Sequence, residues 1–186
     1  MFKVRGEGLT ATQLGELTSV CTRVAALAKA AHDGAGNRAK WFGTLADSPF
    51  VMEGLRIMDE YLNTKCVGIT FVRKMTGQIV DQVSAEASDY GQVLPNVFTT
   101  TVNFRETPRH VSSGLRIYAM NEIIAAIDND DQLEQANYVY HEVSHKVLDT
   151  VDFRYGQSSC QRLARRHPRS AVRNADNWGY LIGEMA

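Results

Sequence analysis

His141 and His145, with Glu142 directly after the first, have the types and spacing in this 186-residue chain best suited to chemistry. On an α-helix, residues four apart share a face, so both imidazoles can meet one ion. Zinc accepts neutral imidazole nitrogen at short range. Glu142 follows His141 by about 100° of helix, where it can reach a metal-bound water without displacing a ligand. This is the H-E-x-x-H pattern of zinc hydrolases. A catalytic zinc needs a third protein ligand and an open fourth position. The metzincin continuation would place glycine at 148 and histidine at 151, whereas the chain has Leu148 and Val151. A glutamate from a later helix could only be Glu184, two residues from the end and a poor place for a fixed ligand. Asp149 and Asp152, in the segment leaving the motif, are the remaining nearby candidates.

The elements that must position these residues follow from period and punctuation. Asp131 and Glu134 form a capping box ahead of Leu133, Ala136, Val139 and Tyr140, which predicts a helix from about Asp131 to Leu148. A loop from Asp149 to Gly156 should follow, then a helical stretch broken near Pro168 and resuming through Ala171, Ala175 and Leu181. Upstream, Thr10 with Gln13 caps a long amphipathic helix through Leu14, Leu17, Cys21, Val24, Leu27 and Ala31, stopped by Gly34. Ser48-Pro49 opens a second helix to about Leu62. The middle of the chain is β-rich, with strand candidates at Val67–Val72, Gln78–Val83, Phe98–Phe104 and Leu115–Met120 and a turn at Met75–Gly77. The segment Ala85 to Asn96 is polar and carries no clear period.

Composition narrows the function class. Twenty basic against 21 acidic residues leave a net charge of -1, which argues against a global grip on nucleic acid or anionic lipid. No apolar run is long enough for a membrane span. The start of the chain shows no signal-peptide pattern. Three cysteines at wide spacing form neither a disulfide framework nor a thiolate cluster. Arg162, Arg165, Arg166, Arg169 and Arg173, without an intervening acid or interleaved aromatics, read as a solvated helix face. Trp178, Tyr138 and Tyr140 read as packing residues, and His32, His110 and His167 as structural or surface histidines.

The downstream residues add specificity. Thr150-Val151-Asp152-Phe153-Arg154-Tyr155-Gly156 resembles the G-T-x-D-x-x-Y-G segment of the deuterolysin-type (aspzincin) zinc metalloendopeptidases. Asn174-Ala175-Asp176-Asn177-Trp178 is similar to that family's N-A-D-N-aromatic segment, with Leu163-Ala164, Pro168 and Ala171 at matching places between. The resemblance spans about His141 to Leu181; the first 120 residues carry no motif match.

The resemblance implies one Zn2+ per chain held by His141, His145 and Asp152, with Glu142 as the general base toward zinc-bound water. It implies Tyr155 as donor to the oxyanion, and Asp176 beside the pocket for the residue after the scissile bond. Lysine-specific members carry a second acid three residues after the aspartate matching Asp176; here that position is Gly179, so the implied preference for a basic residue is relaxed. The family's G-T begins with glycine, and here that place is Asp149. Secreted fungal members also carry signal and pro-segments with disulfides, so leaderless bacterial relatives, some of them toxin or effector domains, are the closer comparison.

The expectation is an α+β, zincin-like single domain over residues 1–186. It has N-terminal helices, a small mostly antiparallel sheet and C-terminal helices carrying the histidine motif. Its partners would be peptides or proteins, with no nucleic acid and no membrane, and a protein inhibitor is unknown. It would be cytoplasmic as synthesised, with any export by a leaderless route. The alternative function is a catalytically silent zinc- or peptide-binding module.

Overall fold

The computed structural model describes residues 3–66, 68–73, 115–119 and 121–186. Chain order begins with strand β1 (Lys3–Glu7), followed by helices α1 (Ala11–His32), α2 (Arg38–Phe42) and α3 (Pro49–Glu60), the last ending in a π-type turn at Tyr61–Lys65. Strands β2 (Gly68–Arg73) and β3 (Leu115–Ala119) come next. Helices α4 (Asn121–Asp128), α5 (Gln132–Leu148), α6 (Gln157–Arg166), α7 (Pro168–Val172) and α8 (Ala175–Gly183) complete the chain. The architecture is a mostly helical α+β arrangement.

Local signals set the helix starts. Thr10 and Gln13 exchange side-chain-to-backbone bonds of 3.1 and 3.2 Å, the reciprocal box that satisfies two otherwise unpaired amides. Asp131 caps α5 by accepting the Glu134 amide at 3.0 Å, while the Glu134 carboxylate turns instead to Asn137. Pro168 opens α7 because a proline loses nothing at a first helical turn.

The sheet corrects an expectation. The described strands lie in the order β1-β2-β3 and both pairings are parallel, with Lys3 opposite Gly68 and Ile69 opposite Leu115. They are not the mostly antiparallel set that the sequence suggested. Parallel neighbours cannot be joined by a tight hairpin and need a long crossover. Helices α1 to α3 supply one between β1 and β2. Strand β1 carries no strong alternation, since it is exposed at most positions, and it went unread for that reason. The candidates at Gln78–Val83 and Phe98–Phe104, the turn at Met75–Gly77, and Ala85–Asn96 lie outside the described residues.

The core lies between the sheet and the helices. Ile69 and Phe71 of β2, with Leu115 and Ile117 of β3, are buried on one face. Leu17, Cys21 and Val24 of α1, Val51, Leu55 and Met58 of α3, and Val139, Tyr140 and Val143 of α5 complete it. Trp178 of α8 is wholly buried, packs on Phe42 at 4.7 Å between ring centroids, and donates its indole N–H to the Val172 carbonyl. The three cysteines are buried and free, as small apolar residues. Arg162, Arg165, Arg166 and Arg169 are exposed. Among the described residues no helix is long and apolar enough to cross a membrane.

The contact that matters most for the site is α5 against α8. At Gly179 a β-carbon would stand 2.0 Å from Asn137 Oδ1 and 2.8 Å from the Asn137 carbonyl oxygen. At Gly183, one turn on, it would stand 2.8 Å from the Leu133 carbonyl oxygen. Two glycines on one face therefore let α8 lie directly on the α5 backbone. Gly179→Ala should cost on the order of 1–3 kcal/mol through overpacking, read as a lower denaturant midpoint at constant slope. Gly15→Ala, in α1 with nothing within 4 Å of the added carbon, should instead raise the midpoint by about 0.5–1 kcal/mol. Equal behaviour of the two variants would contradict the packing described.

Candidate metal centre

Helix α5 carries both histidines one turn apart, with their rings edge to face at 4.7 Å between centroids. The chain then leaves the helix through Asp149, whose φ of 54° and ψ of 37° are left-handed. Aspartate tolerates that conformation better than most residues, so it makes the turn that a glycine would otherwise make. Three residues later the chain returns Asp152 to the histidines. Asp152 Oδ1 lies 3.3 Å from His141 Nε2 and 3.3 Å from His145 Nε2, and the two Nε2 atoms are 3.0 Å apart. Asp149 remains exposed at the helix end.

The other ring nitrogen of each histidine fixes its tautomer. His145 Nδ1 lies 2.8 Å from the Thr150 carbonyl oxygen, which can only accept, so Nδ1 carries the hydrogen. His141 Nδ1 lies 2.7 Å from Asp176 Oδ1 and donates to that carboxylate. In the neutral rings both Nε2 atoms therefore present lone pairs. In that neutral state two lone pairs and a carboxylate oxygen converge on one point. A proton on His141 or a metal cation among them relieves the repulsion, and two imidazoles with one carboxylate form a donor set suited to zinc. His141, His145 and Asp152 offer one ligand atom each within 4.8 Å of one another. The residues present suit the ion.

The electrostatics agree. Burial opposes charge on His141, yet hydrogen bonds to Asp152 and Asp176, with Glu142 nearby, push its imidazole up to about 10. Burial likewise acts to raise the Asp152 carboxyl, but the two histidines hold it far below the usual carboxylate range. The two shifts are the two halves of one attraction: the carboxylates favour positive charge at His141, and the imidazoles favour negative charge on Asp152.

Around these three atoms stand the other residues singled out in the sequence. Glu142 Oε1 lies 4.0 Å from His141 Nε2, on the flank of the cluster. The Tyr155 ring stacks near His141 at 6.4 Å and 17°, and Tyr155 is 65% exposed. Partial burial of its hydroxyl, then the Asp152 carboxylate, raise the phenol above its ordinary value, so it keeps its proton. Asp176, by contrast, is 6% exposed, and both its oxygens are engaged internally. Oδ1 takes His141, and Oδ2 accepts the Gly156 amide at 2.9 Å.

Two supporting residues had no role in the sequence reading. Ser144 is fully buried, donates to the His141 carbonyl and pairs with Thr150 Oγ1 at 2.8 Å, bracing the carbonyl that orients His145. Asn174 is also fully buried and bonds to the backbone of residues 153 and 154. Thr150 and Asn174 stand inside the quoted motifs, which was the available signal.

Comparison with known proteins places this geometry. The sequence pattern of the aspzincin family, described as lysine-specific metallo-endopeptidase, matches residues 81–182, more than half of the chain. A solved zinc peptidase from Grifola frondosa is similar in fold, with a TM-score of 0.61 at 20% identity over 95% of this chain and 98% of that one. No curated protein sequence matches. With its family pattern over most of the C-terminal half, a shared fold and a converging two-histidine, one-carboxylate site, the chain belongs to the aspzincin family of zinc metalloendopeptidases.

Proposed function

We propose that this enzyme cleaves internal peptide bonds of polypeptides with Glu142 as general base, Tyr155 as oxyanion donor and a relaxed preference for a basic residue after the cut. The observation that carries the reading is the convergence of His141 Nε2, His145 Nε2 and Asp152 Oδ1, with an acid and a phenol beside His141. Zinc, when bound by those three, supplies Lewis acidity that polarises a carbonyl and acidifies water. Glu142 is half-buried beside the donors but is not one of them, which suits a carboxylate that accepts a proton from attacking water and returns it to the leaving nitrogen. Tyr155, exposed and protonated, can donate to an oxygen that gains charge as the carbonyl becomes tetrahedral. Asp176 holds His141 in the tautomer that presents Nε2, as carboxylates behind ligating histidines do.

Support for the basic preference comes from the charge of Asp176 near the site. That charge is already shared between His141 and the Gly156 amide, and position 179 has no room for a second acid. Only a long-range attraction is left for substrate, so the preference is weak.

Five measurements test this function. Asp152→Ala should lose zinc, measured by metal analysis after dialysis, while Asp149→Gly should keep it; the opposite pattern excludes the ligand assignment. Glu142→Gln should retain zinc and fold yet lose roughly 10²–10⁴-fold in cleavage of a denatured protein substrate. Tyr155→Phe should lower kcat about 10²–10³-fold with little change in KM. Zinc binding without chelator-sensitive cleavage in the parent protein would instead identify a silent binding module. Sequencing of products from a peptide library reads the last element: no enrichment of Lys or Arg after the cut would remove the basic preference.

A further inference from the structure

We propose that Asn174 is a positioning residue that holds Asp152 and Tyr155 on the metal centre by clamping the backbone between them. The proposal rests on the reading of Asp152 as ligand. Asn174 Oδ1 accepts the amides of Phe153 at 2.8 Å and Arg154 at 2.9 Å, and Nδ2 donates to the Arg154 carbonyl at 3.0 Å. One side chain thus makes three bonds to the two residues lying between Asp152 and Tyr155. It does so from 20 residues away in sequence and from a position that is 0% exposed. Water cannot replace those bonds without opening the core.

The residue's own location makes the arrangement telling. Asn174 is the N-cap of α8, and asparagine is among the best residues for bonding the free amides of a helix start. Here its side chain makes no cap bond. Three of its bonds go to the loop instead, and Nδ2 also reaches Asn177 Oδ1 at 2.8 Å and Cys160 Sγ at 3.5 Å. The backbone beside it does the same work, since Val151 donates to the Arg173 carbonyl and accepts from the Ala175 amide. Asp176, two residues on, takes His141 and the Gly156 amide. The start of α8 therefore registers both ends of the loop against α5.

Asn177 provides the control. It is equally buried and its Oδ1 accepts from Asn174 Nδ2 at 2.8 Å, but its own amide donates to the carbonyls of Trp41 and Cys160, in α2 and α6. Its loss therefore removes one partner of Asn174 and leaves all three bonds to the ligand loop. Asn174→Ala and Asn177→Ala should both lower the denaturant midpoint, whereas only Asn174→Ala should weaken zinc. The expected loss in zinc affinity, by chelator competition, is about 10–100-fold. In zinc-free protein, hydrogen exchange at the Phe153 and Arg154 amides should accelerate in Asn174→Ala and stay at the parent rate in Asn177→Ala. Asn174→Asp keeps the two accepted amide bonds, and its second oxygen can replace the donation to the Arg154 carbonyl only as the protonated acid, which burial favours. It should recover part of the zinc affinity, more at low pH, and it serves if the alanine variant does not fold. Unchanged zinc affinity in Asn174→Ala would overturn the proposal, as would an equal loss in Asn177→Ala or no recovery in Asn174→Asp. Asp152→Ala measured alongside separates the two failures. If it binds zinc like the parent, the ligand reading falls and takes the clamp's function with it. If it loses zinc while Asn174→Ala does not, only the clamp falls.

Discussion

Two imidazole nitrogens 3.0 Å apart, both facing one carboxylate oxygen at 3.3 Å, are a contact that a protein does not hold without reason. Much of the surrounding structure answers to it. The rings stay in that facing pose because Asp176 and the Thr150 carbonyl take the hydrogens on their far sides. Ser144 steadies that carbonyl through Thr150 and is itself held by the His141 carbonyl. Each histidine is thus oriented from outside its own helix, once by α8 and once by the loop after α5. A donor set built this way meets an ion with little rearrangement, which is the condition for tight binding by few ligands.

The geometry also explains why the C-terminal elements are short and closely spaced. Asp152 can return to His141 and His145 only if the chain reverses within a few residues of Leu148. The left-handed Asp149 starts the reversal, and the parallel bridge between Val151 and Asn174 ends it. Gly156, with φ of 81°, then releases the chain into α6 while its amide is held by Asp176. Helix α8 must therefore lie against α5 with its first turn level with His141. Gly179 and Gly183 make that approach possible.

Much of this was legible in the sequence, and the parts that were not share a physical cause. The helix bearing His141 and His145 is marked by its cap and period, and side chains four apart must share a face whatever surrounds them. The choice between Asp149 and Asp152 did not follow from spacing, because it depends on a left-handed turn that aspartate permits but does not require. The sequence places Asp176 beside the substrate pocket; that its Oδ1 also meets His141 depends on how two helices separated by a loop come to rest. The Ser144 and Thr150 hydroxyls and the Asn174 amide serve through backbone carbonyls and amides, which carry no sequence signature. The parallel sheet was missed for a related reason. Alternation tells which face of a strand is buried, as in Ile69 and Phe71, but not which way its neighbour runs.

The close contact of α5 with α8 also limits which residues position 179 can take. A side chain at 179 would project toward Asn137, whose Oδ1 is buried without a hydrogen-bond partner among the described residues. A carboxylate introduced there would face an unpaired acceptor and a backbone carbonyl in a space already filled, so charge repulsion and steric exclusion act together. Helix α8 would have to withdraw from α5 to admit it, and that movement would draw Asp176 away from His141. In this chain a second acid at 179 and a well-oriented His141 therefore compete for the same helix position. The arrangement favours the histidine.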